Sequence, residues 1–438
     1  MDATREQPAL ATGHWHWHTA RMPSLIPVPR AERSAGIDIA RGLALLGIIV
    51  VNARFFFLPF ATVVAMGPLP EGLQRSSLDW AVHDAVDVLA SYKFISVFSL
   101  LFGFGLAQQA ARCAALGRSR WRMGLRRLGL LLAIGLLHGL LVWDGDILTL
   151  YSIVGTVVLA CIGLDDRWLR RVTMGVVALI LLVTVANAGM QWAFVGAAAD
   201  HGAVAVVAEH PLRGVDAMTD AGFDISSPTW IEAEVLAFRQ GPWLDAAAFR
   251  AVSYALSLLL APISYGWQPL LMMLVGVWAQ RTRLFAPESG SRRRLLAVRL
   301  IAAGLPCAVA AVLPWWFLGR ESPAATALST LALQLSALLL PVGYACLAVE
   351  FGPRLPTVLR APIQAAGSIG LTVYLCESLV CTGIASWWGL ARFGTMTDAQ
   401  FTAMVIGVWA GLMVAALAWT RVFGSGPMER LWRWGTYG

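Results

Sequence analysis

The chain has 438 residues, of which 58% are hydrophobic and only 13% are charged, and its mean hydropathy is +0.66. Globular proteins carry about 25% charged residues, so this composition excludes a soluble enzyme and indicates a protein that crosses the bilayer several times. The formal net charge is +7 at pH 7. The arginines flank apolar stretches, as residues that orient a membrane protein do. We therefore do not interpret the positive charge as a nucleic-acid-binding signal, and we expect no nucleic-acid partner.

Residues 1–35 are polar and contain prolines, which predicts a loosely ordered tail before the first apolar stretch. A run of His14, His16 and His18 in this tail hints at metal binding by composition alone, and an incidental run is the simpler interpretation. The six cysteines lie in or beside apolar stretches without paired metal-ligand spacing. They are therefore expected to be small hydrophobic side chains, and no metal cofactor is predicted.

Ten apolar stretches approach the length of about 20 residues that a helix needs to cross a bilayer. The sequence therefore predicts an all-α integral membrane protein, a bundle of about ten transmembrane helices. The predicted spans lie near residues 42–64, 87–110, 127–143, 147–164, 172–195, 252–280, 297–319, 324–350, 363–388 and 401–420.

The distribution of arginine predicts the orientation. With the N-terminus in the cytoplasm, the cytoplasmic segments hold 25 of the 32 arginines. This is the positive-inside pattern, so both termini are predicted to be cytoplasmic. The chain then divides into the tail (1–35), an N-terminal five-helix half (36–195), an extracytoplasmic loop (196–251) and a C-terminal five-helix half (252–438). The loop is acidic and long, which makes it a candidate cover for an outward-facing site.

A short hairpin between the third and fourth spans carries the most informative polar residues. His138 lies near the end of one apolar helix, and Trp143, Asp144 and Asp146 form the turn to the next. Polar groups at membrane depth are costly, and histidine is the usual general base near neutral pH. Either carboxylate can fold back to orient the imidazole, which predicts a catalytic group. The alternative is a histidine bonded to a neighbouring helix, with one carboxylate capping the next helix.

The first two spans carry further candidates. Arg41 and Asn52 are eleven residues apart, almost three helical turns, so they share one face, and Asp38 can pair with Arg41. This polar stripe predicts substrate binding, with an interfacial anchor and a packing amide as the alternative. Lys93 is the only lysine among 33 basic residues. An ion pair inside the bundle is predicted for it, with snorkelling to the interface as the alternative.

The second half adds weaker candidates. Three polar or aromatic residues interrupt the sixth span, where they can line a cavity: Tyr265, Trp267 and Gln268. Glu377 lies deep in the ninth span and needs a partner such as Lys93 or an arginine, unless it is protonated. His83 is a weaker candidate base than His138, because it stands in a polar segment outside any recognised motif.

Five motifs in order resemble the YeiB-like bacterial inner-membrane proteins, a family of unknown function (domain of unknown function 418). The motifs are GIDIARGLALLGIIVVN (36–52), KFISVFSLLFGFG (93–105), GLLHGLLVWDGDILTLYSIVG (135–155), GLTVYLCESLVC (370–381) and GPMERLWR (426–433). The first half of that family is similar to transmembrane acyltransferases of the heparan-alpha-glucosaminide N-acetyltransferase type. Those enzymes move an acetyl group from cytosolic acetyl-CoA to a sugar across the membrane. The shared pattern consists of Asp38, Arg41 and Asn52.

The resemblance implies an acyltransferase of the bacterial inner membrane that uses acyl-CoA, with acetyl-CoA the first choice. The acceptor would be an extracytoplasmic sugar, lipid or small metabolite. A related acyltransferase family has a catalytic histidine where this chain has Asn52. Since an amide cannot act as a general base, that role falls to another residue or is absent, and His138 is the family-matching histidine on the outer side.

The implied roles can be assigned to residues. Arg41 and the arginines of 118–127 would hold the CoA phosphates, and Asn52 and Lys93 would stabilise an oxyanion. His138, oriented by a carboxylate of the hairpin, would deprotonate the acceptor. The residues predicted to contact substrate are Asp38, Arg41, Trp143, Tyr265, Trp267, Gln268 and Glu377.

A proton-coupled transporter or exporter of a small molecule or lipid is the alternative function, with Lys93, Glu377 and Asp146 as a proton relay. Transporters often contain inverted repeats, and the 143–146 turn has no counterpart in the second half. A purely structural role would predict that alanine at these positions has no phenotype. The expected partners are the bilayer and a small-molecule or glycan acceptor, and a homodimer is left open.

Overall fold

The structure is a computed structural model that describes residues 34–64, 68–198, 214–320 and 322–437, and every regular element in these ranges is a helix. The predicted all-α class is therefore confirmed. The histidine run of the tail and residues 199–213 of the predicted loop lie outside the described residues. The α-helices of the described ranges are α1 (Ala35–Phe57), α2 (Phe60–Val64), α3 (Ser77–Leu89), α4 (Lys93–Ala115), α5 (Arg120–Leu141), α6 (Leu148–Cys161), α7 (Asp166–Ala198), α8 (Gly214–Asp220), α9 (Pro228–Gln240), α10 (Trp243–Leu260), α11 (Trp267–Arg281), α12 (Gly290–Ala310), α13 (Leu313–Leu318), α14 (Pro323–Phe351), α15 (Thr357–Ser368), α16 (Gly370–Ala385), α17 (Asp398–Phe423) and α18 (Pro427–Tyr437).

Several helices have the length and hydropathy of membrane spans. In the described part of the chain there are eight such segments, or nine if the bent pair α15 and α16 counts as one span. Helix α6 is also apolar but has only 14 residues. The chain is therefore a multi-pass membrane protein, and each of the ten predicted spans overlaps at least one of these helices.

Several predicted spans are interrupted, among them the second and the sixth. The second was predicted as one helix from residue 87, but α3 ends at Leu89 and α4 begins at Lys93. Tyr92 between them has φ 62°, a left-handed conformation in which a non-glycine residue marks a turn. The sixth is divided between Leu260 and Trp267. Hydropathy does not reveal such breaks, because the side chains on both sides are equally apolar.

Helix α1 lies at the centre of the bundle and packs against α4, α14, α15, α16 and α17. Glycines allow the backbones to approach closely. A Cβ on Gly42 would lie 2.2 Å from the carbonyl oxygen of Ile363 in α15, and one on Gly103 would lie 2.1 Å from that of Met273 in α11. Small residues of this kind let helices pack closely within a bilayer, where the hydrophobic effect does not drive helix association. Gly103 therefore allows the close packing of α4 on α11.

The segment predicted as an extracytoplasmic loop is partly helical. Helix α9 begins after Ser227, whose hydroxyl accepts a hydrogen bond from the Trp230 amide at 3.2 Å, and Pro228 occupies its first turn. Both residues are strong N-terminal helix signals. Helix α9 packs against α8 and α10, with Trp230 and Glu234 buried. This packing brings a carboxyl group of the predicted loop inside the protein.

A sharp bend divides the ninth predicted span. Helices α15 and α16 meet at an angle of 92°. The first amides of α16, from Leu371 and Thr372, donate to the Glu429 carboxylate of α18 at 2.8 and 3.1 Å. Glu429 thus satisfies backbone groups that a helix start leaves without partners. The bend and the docked C-terminal helix together form one wall of the large cavity described below.

Candidate active site

The hairpin of α5 and α6 is held closely by two glycines. A Cβ on Gly135 would lie 2.5 Å from the Thr149 amide nitrogen and 2.9 Å from Oδ2 of Asp146. A Cβ on Gly139, one turn later, would lie 2.4 Å from the ring of Tyr254 in α10. Only glycine leaves room for these groups, so the sequence of α5 itself allows the polar turn to approach the helix.

His138 and Asp146 form a buried pair. Nδ1 of His138 lies 2.9 Å from Oδ1 of Asp146, and the two residues are 4% and 7% exposed. Oδ2 of Asp146 accepts a hydrogen bond from the Thr149 amide at 2.9 Å. An ionised carboxylate only accepts hydrogen bonds, so Nδ1 is the donor to Asp146, and in the corresponding neutral tautomer Nε2 carries the lone pair. Nε2 is buried and has no hydrogen-bond partner among the described residues.

Two aromatic rings flank the imidazole. The ring centroids of Trp143 and Tyr374 lie 6.3 and 5.5 Å from that of His138. The Tyr374 hydroxyl accepts a long hydrogen bond of 3.4 Å from the Ile147 amide. It therefore still has a hydrogen to donate. These rings lie in the walls of two different cavities.

The large cavity has a volume of about 550 Å³. On α1 its lining runs from Asp38 to Ile48, a depth of about 15 Å at 1.5 Å per residue. Its deep end is lined by Tyr151 and Tyr374, next to His138. Apolar and aromatic side chains dominate the deep wall, including Leu45, Phe98, Leu101, Phe102, Leu131 and Leu148. Five arginines and two carboxylates also line the cavity: Arg41, Arg112, Arg127, Arg283, Arg433, Asp38 and Glu429.

The small cavity has a volume of about 20 Å³, enough for one or two water molecules. It lies by the other end of α1, where Phe55, Phe56 and Leu58 contribute to its wall. Arg41 of the large cavity and Leu58 are 17 residues apart, which is about 25 Å along a helix. Trp143 lines the small cavity and Tyr374 the large one, so the His138 imidazole is packed between one residue of each cavity but lines neither itself.

Two carboxyl groups line the small cavity. Burial raises the pKa of Asp144 to about 6, against the opposing charge of Arg250. Burial also raises the pKa of Glu234 to about 8, opposed by the hydrogen bond from the Phe60 amide and increased by the charge of Asp144. The buried Arg250 donates to the carbonyl oxygens of the last residues of α5 at 3.3 and 3.4 Å. At neutral pH the cavity therefore holds one ionised and one protonated carboxyl group.

The first two spans contribute less than predicted. Asp38 and Arg41 form the predicted ion pair, at 3.1 Å, and both line the large cavity. Asn52 is partly buried but lines neither cavity. Lys93 is fully buried, and its Nζ donates to the carbonyl oxygen of Asp87 at 2.5 Å. No described contact joins Lys93 to His138.

Three residues that were predicted to contact the substrate make hydrogen bonds within the protein instead. The Tyr265 hydroxyl donates to the Ser257 carbonyl at 3.0 Å, and Trp267 Nε1 donates to the Pro262 carbonyl at 2.6 Å. The amide of Gln268 donates to side-chain and backbone oxygens of α4 and α14. None of these three residues lines either cavity.

Glu377 and His83 lie apart from the pair. The Oε1 atom of Glu377 is buried and has no partner among the described residues, so the structure does not pair this carboxyl with Lys93. His83 contacts two carboxylates, Asp398 at 3.0 Å and Asp87 at 3.7 Å. This second network joins α3 and α17 and lines neither cavity. No three acidic, His or Cys side chains in the described ranges are placed to hold a metal ion.

Several site residues were missed by the sequence analysis: Tyr374, Tyr254, Thr149, Glu234 and Arg250. The Thr149 and Tyr254 hydroxyls lie 2.6 Å apart beside Asp146. Tyr374 stands inside the motif 370–381, and Glu234 belongs to the acidic loop, which were the available signals. Their convergence depends on the packing of α9, α10 and α16 on the hairpin, which residue spacing does not encode.

Comparisons with known proteins agree with the motifs. A family model described as protein of unknown function (DUF418) matches residues 279–438. YeiB of Escherichia coli (strain K12) is 30% identical over 416 residues, covering 92% of this chain and 96% of YeiB. YxaH of Bacillus subtilis (strain 168) is 29% identical over 427 residues, covering 95% of this chain and 97% of YxaH. The similarity therefore extends over both cavities and the hairpin.

Proposed function

This chain belongs to the YeiB-like (DUF418) family, and we propose that it transfers an acyl group from cytosolic acyl-CoA to an acceptor across the bacterial inner membrane. The position of His138 carries this proposal. Its imidazole is oriented by Asp146 and packs between the ring of Trp143, which lines the small cavity, and the ring of Tyr374, which lines the large one. Nε2 is buried behind these two rings, so the reaction requires them to move before the base can reach a donor on one side and an acceptor on the other.

The large cavity suits an acyl-CoA. Its arginines can bind the phosphates of CoA through charge-assisted hydrogen bonds, which are about twice as strong as neutral ones. Its apolar deep wall can take the pantetheine arm and a short acyl chain. Of the arginines predicted for this role, Arg41 and Arg127 line the cavity. Acetyl-CoA is the simplest donor.

The reaction would proceed as one transfer. Nε2 of His138 takes the proton of the acceptor, whose oxygen or nitrogen attacks the thioester carbonyl carbon. The carbon–sulfur bond breaks, the leaving CoA thiolate takes the proton back from the imidazolium, and the products are acylated acceptor and free CoA. Asp146 stabilises the imidazolium while it exists. Tyr374, whose hydroxyl retains a hydrogen to donate, replaces Asn52 and Lys93 as the oxyanion donor.

The number and orientation of the membrane spans in this proposal are taken from the distribution of arginines. Counting α6 and the bent α15–α16 pair as spans, together with the eight long segments, gives the ten spans of the arginine pattern. Both termini and the mouth of the large cavity would then face the cytoplasm, where acyl-CoA is made. The small cavity would face the extracytoplasmic side, where the acceptor is a sugar, lipid or small metabolite.

Thiol release from acetyl-CoA tests the proposal. The full-length protein, purified in detergent, is incubated with acetyl-CoA and a cell-envelope extract. Wild type is expected to release CoA. His138→Gln is expected to release CoA at least about 100-fold more slowly, which is the usual contribution of a general base. His83→Gln is the matched control, because His83 also contacts carboxylates, but its neighbours Asp87, Asp398, Trp80 and Trp315 line neither cavity, unlike the two rings beside His138. Equal rates for His138→Gln and wild type would contradict the proposal.

A proton-coupled transporter is the second candidate, favoured by the buried carboxyl of Glu377, whose Oε1 has no partner among the described residues. Ionisable groups of this kind in membrane proteins often carry protons. Transport predicts substrate flux that Glu377→Gln abolishes, and it predicts no release of CoA. The thiol assay therefore separates the two functions.

A further inference from the structure

The small cavity contains an unusual number of buried polar atoms without partners. Four residues of its wall are at most 5% exposed: Trp143, Glu234, Thr382 and Ser386. The indole nitrogen, one carboxyl oxygen and two hydroxyls of these residues make no hydrogen bond within the described structure. Buried polar atoms are nearly always paired, because one that is left without a partner destabilises the folded protein. Their concentration around one small space indicates that a ligand completes them.

We propose that the small cavity binds a hydroxyl group of a neutral, hydroxyl-bearing acceptor, and that the acyl product is an ester. This inference rests on the proposed acyl transfer and names the acceptor's chemical class. The cavity has room for one polar group and no more, so the rest of the acceptor lies outside it.

The mixture of donors and acceptors selects a hydroxyl. The Trp143 N–H only donates, whereas an ionised carboxylate such as Asp144 only accepts. A hydroxyl accepts from the first and donates to the second. An ammonium group would leave the indole N–H without an acceptor, and an anionic group would face two carboxyl groups. The aromatic pair of Phe56 and Trp143, stacked at 4.1 Å between centroids, offers an apolar wall to the adjacent carbon.

The charge balance agrees with a neutral ligand. With a pKa of about 6, Asp144 is mostly ionised at pH 7, and its charge is opposed by the nearby Arg250. With a pKa of about 8, Glu234 is mostly protonated. The surroundings are therefore close to neutral and give no net attraction to a cation or an anion. The Trp143 ring lies between the small cavity and His138, so this ring would have to move before Nε2 takes the hydroxyl proton and the oxygen attacks the acyl carbon.

Three probes with the same carbon skeleton test the inference: glycerol, 3-aminopropane-1,2-diol and glycerate. Binding to the full-length protein in detergent is measured by saturation-transfer NMR, and acetyl transfer from labelled acetyl-CoA is measured separately. Glycerol is expected to bind, and the cationic and anionic analogues to bind at least about tenfold more weakly. Ser386→Ala and Trp143→Phe are expected to weaken glycerol binding about threefold to tenfold, the effect of one hydrogen bond.

Ser329→Ala is the matched control, because Ser329 is also a buried serine whose hydroxyl lacks a described partner but lines neither cavity. The inference would be overturned if all three probes bound equally, or if Ser386→Ala and Ser329→Ala weakened glycerol binding by the same factor. Transfer to the nitrogen of the aminodiol would also overturn it while leaving acyl transfer intact. Selective glycerol binding without any acetyl transfer would support the hydroxyl site and reject the transferase function.

Discussion

Asp146 accepts two hydrogen bonds with different consequences. One, from Nδ1 of His138, orients the imidazole, and the other, from the Thr149 amide, caps the start of α6. The sequence offered these as alternatives, and the structure has both in one residue. The same carboxylate therefore ties the position of the base to the fold of the hairpin.

Asp146→Asn separates these two bonds. Asparagine still has an oxygen for the Thr149 amide, but it no longer supplies the negative charge that stabilises the imidazolium and holds the tautomer. We expect the turnover rate for acetyl-CoA to fall at least about 100-fold, with KM nearly unchanged because the large cavity is intact. Steady-state kinetics check this, and a higher KM with unchanged turnover would assign Asp146 to binding instead.

Gly135→Ala tests the close approach of the hairpin. The added methyl group would lie 2.5 Å from the Thr149 amide nitrogen, so α6 and Asp146 must move away from α5. Overpacking of this kind costs about 1–3 kcal/mol. We expect a lower thermal midpoint and reduced activity. Gly129→Ala in the same helix is the control, because a Cβ there meets no atom within 4 Å. Equal midpoints for the two variants would argue against the tight hairpin.

The sequence could identify His138 and its hairpin but could not choose between the two carboxylates. The choice depends on the path of a four-residue turn, which sends Asp146 toward the imidazole and Asp144 toward Arg250. An ion pair inside the bundle was predicted for Lys93 because it is the only lysine of the chain and intramembrane charges usually face the interior. Its bond to the Asp87 carbonyl follows from the turn at Tyr92, which an uninterrupted apolar pattern conceals.

At the scale of elements, the last turn of α4 and the second half of α18 contribute Arg112 and Arg433 to the wall of the large cavity. Arg112 lines this cavity and has no ion-pair partner among the described residues. Arg112→Gln is expected to raise the Kd for acetyl-CoA about tenfold, the effect of losing one hydrogen bond to a charged group. Acetyl-pantetheine, which lacks the nucleotide phosphates, should bind equally to both proteins.

Arg299→Gln is the control for this experiment, since Arg299 is exposed on α12 and lines neither cavity. Calorimetry in detergent measures both ligands. If Arg112→Gln weakened acetyl-pantetheine as much as acetyl-CoA, the arginines would not be a phosphate site.

Helix α9 gives the protein a pH-dependent stability through Glu234. Its pKa is raised from 4.5 to about 8, so between these values the folded protein binds more protons than the unfolded chain. The free energy of unfolding then falls as pH rises through this window. We expect the thermal midpoint of wild type to drop between pH 5 and about pH 8, and Glu234→Gln to show a smaller drop. Identical pH profiles would contradict the buried, protonated carboxyl.

The helices themselves could be predicted, because each predicted span overlaps at least one described helix. The polar and aromatic residues Tyr265, Trp267 and Gln268 also marked the break between α10 and α11. The break at Tyr92 and the bend before α16 could not be predicted. They depend on polar bonds between distant parts of the chain, such as those from α16 to Glu429. Hydropathy counts apolar length and carries no information about such partners.

At the scale of the whole molecule, the two cavities lie by opposite ends of α1, and His138 packs between Trp143 of the small cavity and Tyr374 of the large one. A transferase built this way needs no movement of the whole substrate across the membrane, because only the acyl group passes the histidine. The buried charge network of Arg54, Asp87, His83 and Asp398 lies apart from this path and joins α1, α3 and α17. Its expected contribution is to hold these three helices together.

Sidedness is the most direct test of the central proposal. Labelled acetyl-CoA is added outside two kinds of membrane vesicle from cells that produce the protein, inverted and right-side-out. Inverted vesicles, whose cytoplasmic face is outside, are expected to accumulate acetylated product in the lumen, and right-side-out vesicles are expected to accumulate none. His138→Gln should abolish the signal. Product formed equally in both orientations, or labelling that persists in His138→Gln, would contradict transfer across the membrane through this histidine.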